Sequence, residues 1–256
     1  MSKKALIQIV LLVSLGVFLF SRYLNGSLSY YIHPRFNILT VLAAAGLVLM
    51  AIAYGRDRLL GGKGDHDHSH GHGHGHDHDH DHSHDLSWFG LSLIAIPVIL
   101  GFFVEPRPLG ASALSNREVN VGTLSSARAP DGSYYTTLAT SGERNIMDWL
   151  YAFQNARDPG AFDGEVAHVI GFVYRDERFD ADTFMVSRFT VSCCVADAAP
   201  IGLIVRWPQA PEWADDEWVE VTGRFETGRF GSTLMPILVA DAVVKTDTPA
   251  QPYLYQ

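Results

Sequence analysis

The sequence contains two groups of side chains that could bind a transition metal, a histidine run and a pair of adjacent cysteines. Ten of the twelve histidines occupy every second position from His66 to His84. Neutral imidazole is a good ligand for Zn²⁺, Ni²⁺, Co²⁺ and Cu²⁺, and the aspartates between the histidines add oxygen ligands. Zinc is the metal that we expect, with nickel, cobalt or copper as alternatives. The predicted metal ligands of the run are His66, His68, His70, His72, His74, His76, His78, His80, His82 and His84.

The residues between these histidines decide what kind of metal site the run can form. They are Asp, Gly and Ser, which are poor strand formers and give no apolar face, so we expect the run to be disordered without ligand. Such a segment offers several interchangeable weak sites, which suit buffering, sensing or delivery of a metal. Catalysis would instead need a fixed site with an open coordination position. The alternative interpretation is a hydrophilic spacer.

The two cysteines of the chain, Cys193 and Cys194, are followed by Asp197. They lie at the end of a predicted strand, where adjacent side chains point to opposite faces, so both thiols would not easily face one partner. Three interpretations stay open. One cysteine is in the core and the other is exposed; or the thiols form a soft metal site with Asp197 or His168, suited to Zn²⁺ or Cu(I); or they form a strained vicinal disulfide or redox pair. A single strand histidine such as His168 is more often a core or surface residue than a ligand.

Motifs and charge exclude two classes of function. The sequence has no Cys-x-x-Cys, no histidine beside the cysteines, and no Ser-His-Asp or His-Glu-x-x-His arrangement, so we predict that the chain is not an enzyme. Residues 105–256 carry twelve Lys and Arg against twenty-one Asp and Glu, a net charge of −9. Binding of nucleic acid needs basic residues to neutralise phosphates, so nucleic acid is not an expected partner.

The histidine run and the cysteine pair are attached to three apolar segments, which we expect to lie in a lipid bilayer. The segments are at about residues 5–24, 36–54 and 86–104. About 20 apolar residues of helix span a bilayer, so we predict three transmembrane helices in a membrane domain of residues 1–104. Buried helices of a soluble protein are the alternative. The first segment could also be a signal peptide, but no small-x-small cleavage site follows it.

Basic residues in the short loops predict the orientation of these helices. Lys3 and Lys4 precede the first segment, and three basic residues follow the second, whereas the loop between them has only Arg22 and Arg35. Basic loops stay in the cytoplasm. We therefore expect a multi-pass protein of the plasma (inner) membrane, with a cytoplasmic histidine-rich loop at 61–85 and an extracytoplasmic C-terminal domain.

The C-terminal half is predicted to be mainly β. Residues 105–144 are rich in Pro, Gly and Ser and are expected to form a linker and the start of the soluble region. A helix is predicted over 145–158, from apolar residues at helical spacing. Five Val-, Ile- and Phe-rich runs then predict five strands, at 165–176, 183–195, 201–207, 218–226 and 235–246. A longer connection after the third strand favours an OB-like five-stranded barrel over residues 145–256.

The stretch "SRFTVSCCVADAAPIGLIV", with "GFVYRD" before it and "WVEVTGRF" and "PYLY" after it, resembles the YcgQ-like family of permease subunits. The first two apolar segments and "EPRPLG" after the third are similar to that family as well. The resemblance covers nearly the whole chain and maps the family's cysteine-pair motif onto Cys193, Cys194 and Asp197. It implies a partner, because members of the family are typically encoded next to a polytopic permease and are taken to work with it.

Three functional hypotheses follow from these features. The first is a non-enzymatic accessory subunit of a membrane permease, with the bilayer, the permease and metal ions as partners. The second is a membrane-tethered thiol redox or metal-binding protein that acts through the cysteine pair. The third is a separate metal-binding anchor protein whose barrel recognises a small ligand or peptide.

Overall fold

The described residues of the chain form two compact units. A computed structural model describes residues 3–60, 88–114 and 144–255. One unit, here called the helical unit, comprises residues 1–28 and 35–106, and the other, the barrel unit, comprises 29–34 and 107–256. The histidine run, and with it the metal sites predicted there, lies outside the described residues.

The helical unit contains three apolar helices: α1 (Lys3–Leu24), α2 (Asn37–Leu60) and α3 (Trp88–Phe103). The two spans Lys3–Leu24 and Pro34–Leu59 are long and apolar enough to cross a membrane. The third helix has 16 described residues, which reach roughly 24 Å at the usual helical rise. Two of the three predicted spans thus meet the length criterion, and the first residues of the third predicted span lie outside the described part.

Close packing holds α1 against α2. A Cβ at Gly16 would lie 2.9 Å from Val48 Cγ2 and 3.0 Å from the Ala44 carbonyl oxygen, so only glycine allows this approach without displacement. Near the other end of the pair, Tyr54 Oη donates to Gln8 Oε1 at 2.7 Å. Small residues that bring helix backbones together are typical of helix pairs in membranes.

The barrel unit is built on five strands that close on themselves. Each strand pairs with the next in the order β1, β2, β3, β5, β4 and back to β1, and only the β3–β5 pair is parallel. The predicted five-stranded barrel is therefore confirmed. A short sixth strand, which the sequence did not predict, pairs with β2 in parallel. The strands are β1 (Val166–Tyr174), β2 (Thr183–Val191), β3 (Ala199–Arg206), β4 (Trp218–Phe230), β5 (Thr233–Lys245) and β6 (Tyr253–Tyr255).

Helix α5 (Ile146–Asn155) packs on the barrel core. Asn145 caps its first turn by accepting the N–H groups of Met147 and Asp148, and the Asp148 carboxylate accepts the N–H of Asn145 in return. This capping box satisfies donors that a helix start otherwise leaves unpaired. The fully buried Trp149 then stacks edge-on against Phe225 of β4, with ring centroids 4.7 Å apart.

Part of the predicted linker is an ordered element of the barrel unit. Helix α4 (Ala111–Leu114) buries both of its apolar ends in a second core cluster. Before it, the N–H of Leu109 donates to Tyr253 Oη at 2.9 Å. Residues 107–114 thus belong to the barrel unit, while 115–143 lie outside the described part of the chain.

Candidate metal centre

The two cysteines lie just beyond the end of β2. The strand ends at Val191, four residues earlier than predicted, so the alternation of side chains in a strand does not apply to the pair. The Sγ atoms of Cys193 and Cys194 are 3.7 Å apart on the same side of the chain. Together with a carboxylate oxygen of Asp197, they form a group whose ligand atoms all lie within 4.8 Å of one another. The regular strand that would turn the two thiols to opposite faces does not extend to the cysteines.

Asp197 organises the backbone of this segment, which we call the cysteine loop (residues 192–197). Its carboxylate accepts the N–H groups of Ser192 at 2.9 Å, Cys193 at 2.8 Å and Cys194 at 3.2 Å. Partial desolvation of the carboxylate opposes ionisation, but the hydrogen bonds from the Cys193 thiol and from these N–H groups lower the pKa of Asp197 to about 2. The carboxylate is therefore ionised and fixes the position of both cysteines.

The carboxylate also affects the exposed Cys193. The hydrogen bond from its thiol to Asp197, followed by the contact with Cys194, raises the pKa of Cys193 from 9.0 to about 11. The thiol is therefore protonated at neutral pH. A metal ion bound here would have to replace that proton, since the thiolate is the form that coordinates metals.

The cysteine loop pairs with a segment from the other end of the sequence, residues 29–34, which we call the hairpin loop because it joins α1 and α2. Ile32 forms an isolated antiparallel bridge with Cys194. On either side of the bridge, the N–H of His33 donates to the Cys193 carbonyl at 3.0 Å, and the N–H of Val195 donates to the Tyr31 carbonyl at 2.8 Å. Sequence reasoning missed this pairing, because no local pattern links segments about 160 residues apart.

Further contacts hold the hairpin loop to the C-terminal segment. Ser29 Oγ donates to the carbonyl of Ala250 at 3.1 Å, and the hydroxyl groups of Tyr253 and Tyr255 donate to carbonyls of the loop, each at 3.4 Å. The imidazole ring of His33 packs on the ring of Tyr255, with centroids 4.5 Å apart. The hairpin loop is therefore a fixed part of the barrel unit.

The structure does not bring His168 to the cysteines. This residue lies exposed on β1, where its Nε2 atom contacts Glu220 Oε1 of β4 at 2.5 Å. It is absent from the group of ligand atoms around the thiols among the described residues. Of the two partners that the sequence offered for a thiolate site, Asp197 lies beside the cysteines and His168 does not.

A buried arginine on β2 is a second feature that sequence reasoning missed. Arg188 is 8% exposed and donates to the carbonyls of Pro252 at 2.8 Å, Gln251 at 2.6 Å and Ile170 at 3.4 Å. Burial lowers the pKa of Arg188 to about 10. Two of the hydrogen bonds of Arg188 hold the segment before β6 in place. The Arg188 side chain also lines an open cleft of about 390 Å³, together with Arg144.

A unit of apolar helices joined to a β-barrel with an exposed dithiol cluster defines a membrane-associated protein that carries a folded domain. Residues 7–120 match the DUF1980 N-terminal domain, and residues 139–256 match the DUF1980 C-terminal domain. The chain belongs to the DUF1980 family, which confirms the resemblance to the YcgQ-like family.

Two relatives have descriptions. A "Putative two-component membrane permease complex subunit" of Streptococcus mutans is 23% identical over 208 residues, which cover 66% of this chain and 74% of that protein. The UPF0703 protein YcgQ of Bacillus subtilis is 30% identical over 114 residues, which cover 43% of this chain and 38% of YcgQ.

Proposed function

We propose that the chain is a non-enzymatic accessory subunit of a membrane permease that handles a divalent transition metal, with zinc as the first candidate. The observation that carries this proposal is the surface cluster of Cys193, Cys194 and Asp197, whose ligand atoms lie within 4.8 Å of one another. Thiolates favour Zn²⁺ and Cu(I) over the hard cations Mg²⁺ and Ca²⁺. The name of the Streptococcus mutans relative supports the role of permease subunit.

The hairpin loop supports a topology with three spans. It joins α1 to α2 and belongs to the barrel unit, so the loop and the barrel lie on the same side of the membrane. The far end of α2 leads to the histidine run, which then lies on the opposite side. The chain must cross once more, through α3, to reach the barrel. With Lys3 and Lys4 at the start of α1, the histidine run is cytoplasmic and the barrel extracytoplasmic.

This topology gives the two groups of metal ligands separate tasks. The ten histidines collect metal in the cytoplasm as a set of weak sites, and the cysteine loop holds one ion on the outer side, where the permease releases or takes up its cargo. The strand order of the barrel supports the OB type, in which one face of the barrel binds a ligand or partner. We assign that face to the permease.

Metal content of the purified full chain tests the metal role. We compare the chain with a variant whose residues 65–85 are replaced by a Gly-Ser-Asp segment of equal length, and with Cys193→Ser/Cys194→Ser. We expect the first variant to keep one equivalent of zinc and the cysteine variant to lose that equivalent. Loss of all metal with the histidines alone would remove the outer site from the proposal.

Association with the permease is tested by co-purification. The chain, tagged and expressed with the polytopic permease encoded beside it, should retain the permease in mild detergent, and deletion of its gene should change cellular zinc, nickel or cobalt. If the two proteins never associate and the metal content of the cell stays the same, the proposal is wrong.

A thiol redox function is the alternative, and the Sγ–Sγ distance of 3.7 Å favours it, although a disulfide between adjacent residues is strained. The raised pKa of Cys193 opposes it, since thiol exchange proceeds through the thiolate. Thiol trapping in native membranes distinguishes the two functions. Cysteines that stay reduced under cycling oxidant and reductant rule out the redox role, and a trapped mixed disulfide establishes it.

A further inference from the structure

We propose that His33, in the hairpin loop, is the third protein ligand of the metal at the cysteine loop. The inference deepens the proposed function and rests on its outer metal site. It assigns a ligand to a residue of the membrane hairpin, about 160 residues from the cysteines in sequence. The ion is of the zinc class, bound by two thiolates and one imidazole.

The first step of the argument is that Asp197 has little capacity left for a metal. Its two carboxylate oxygens already accept three backbone N–H groups, from residues 192 to 194. A carboxylate has about four lone-pair sites, so three are occupied. Direct coordination by both oxygens would break the hydrogen bonds that position the cysteines. Asp197 is therefore mainly a positioning residue, and two thiolates alone do not complete a zinc site, which has at least three protein ligands.

The second step is that few other ligands are available. The chain has two cysteines and twelve histidines, ten of which belong to the run at 66–84. Of the remaining two, His168 lies against Glu220 on the β1–β4 face. His33 is the histidine whose backbone is bonded to the cysteine loop, through its N–H to the Cys193 carbonyl at 3.0 Å.

The third step is the register of the pairing. Ile32 lies opposite Cys194, so His33, one residue further on, lies opposite Cys193. Opposed residues of antiparallel segments have Cβ atoms roughly 4.5–5.5 Å apart. Zinc binds sulfur at about 2.3 Å and imidazole nitrogen at about 2.0–2.1 Å, so one ion bridges side chains at that separation. Like His168, His33 lies outside the group of ligand atoms at the thiols, because its half-buried imidazole packs on Tyr255. The proposal therefore requires the imidazole to rotate about its side-chain bonds when the ion binds.

A site of two thiolates and one imidazole leaves the fourth position of a tetrahedral ion for water or for one Asp197 oxygen. Structural zinc sites are closed by four protein ligands, whereas an open position lets a ligand exchange. Such a site suits an ion that is passed to or received from another protein. The ligand from the hairpin loop also makes occupancy of the site depend on the contact between the two segments.

Co²⁺ titration of the full chain in detergent tests the proposal, because thiolate coordination gives a charge-transfer band that the histidine run cannot produce. We expect His33→Ala to weaken Co²⁺ binding, read from this band, by at least about ten-fold. The matched control His168→Ala should leave the band and the affinity unchanged. His33→Cys should restore binding and intensify the band, since a third thiolate replaces the imidazole.

The outcomes separate this proposal from the function on which it rests. If the wild-type chain gives no thiolate band, the outer metal site fails, and the role of His33 fails with it. If the band appears and His33→Ala binds Co²⁺ as tightly as wild type, the thiolate site stands and the role of His33 is refuted. Circular dichroism of each variant checks the fold, and recovery with His33→Cys excludes a general loss of structure.

Discussion

The rate at which Cys193 reacts with an alkylating reagent gives a direct test of the cysteine loop. Iodoacetamide reacts with the thiolate, so its rate follows the fraction of thiol that is ionised. Because Asp197 and Cys194 raise the pKa of Cys193 from 9.0 to about 11, the ionised fraction at neutral pH falls about a hundred-fold. We therefore expect Cys193 to react about a hundred times more slowly in the folded protein than an ordinary cysteine.

The assay uses the Cys194→Ser variant, in which Cys193 is the remaining thiol and the serine hydroxyl still offers a hydrogen bond. Alkylation is followed by mass spectrometry, with a chelator present to remove metal, over a series of pH values. The same chain in denaturant is the reference for an unperturbed thiol. Below the pKa, the rate of the folded variant should rise about ten-fold for each pH unit, and it should level off at a higher pH than the rate of the denatured chain, because Asp197 still raises the pKa of Cys193.

A variant at Asp197 identifies the cause of the slow reaction. Asp197→Asn keeps an acceptor for the backbone N–H groups and removes the negative charge beside the thiol. Because a thiolate no longer forms next to a carboxylate, we expect alkylation at neutral pH to accelerate roughly ten- to a hundred-fold. A native profile that levels off at the pH of the denatured chain, or a variant that reacts at the wild-type rate, would refute the reasoning.

Other predictions concern stability, measured by unfolding of the full chain in detergent. The hydrogen bond with Arg178 is the main cause that lowers the pKa of Asp176 to about 2 in the folded protein. The ionised carboxylate therefore stabilises the fold fully above the pKa that Asp176 has in the unfolded chain, and this stabilisation is lost as the pH falls towards 2. Solvent weakens this ion pair, because Arg178 is half exposed. Asp176→Asn should therefore lower the free energy of unfolding by about 1 kcal/mol near neutral pH and by almost nothing near pH 2. An equal loss at the two pH values would contradict this prediction. Arg188→Met should cost about 2–4 kcal/mol, because the buried carbonyl of Pro252 and the partly buried carbonyls of Gln251 and Ile170 lose their donor; a loss below about 0.5 kcal/mol would contradict it. Gly16→Leu should lower the stability of the α1–α2 pair by about 1–3 kcal/mol. Gly46→Leu is the control and should not lower it, because a Cβ at Gly46 has no neighbour within 4 Å. Equal effects of the two substitutions would refute the packing argument.

The main elements could be predicted because their patterns are local. Apolar residues at helical spacing, followed by a Pro-Gly pair, predicted the ends of α5 to within a few residues. The runs rich in Val, Ile and Phe predicted the positions of all five barrel strands. The β4–β5 hairpin is longer than expected. The strands were expected to end at residue 226 and to resume at 235, but they continue to Phe230 and resume at Thr233, and Gly231, with a φ of 57°, makes the tight turn.

The candidate site could be predicted only in part, because its geometry depends on contacts that are distant in sequence. The residue types of Cys193, Cys194 and Asp197 indicated a metal site, and their closeness in the chain made a cluster plausible. Their relative positions depend on the end of β2 and on the carboxylate bonds of Asp197, which no strand pattern contains. His33 was not a candidate, since its link to the cysteines is the pairing of two segments that are distant in sequence.

The pairing of the hairpin loop with the cysteine loop has a consequence for the order of folding. The ribosome makes residues 29–34 long before it makes Cys193, so the hairpin loop and the cysteine loop can pair only after the barrel residues have been made. Contacts between such distant segments form slowly, because a large loop has to close first. A separately expressed barrel starting at residue 107 would lack the partners that the hairpin loop gives to the Cys193 carbonyl and the Val195 N–H. Ordering of the cysteine loop therefore depends on the segment that joins the first two helices.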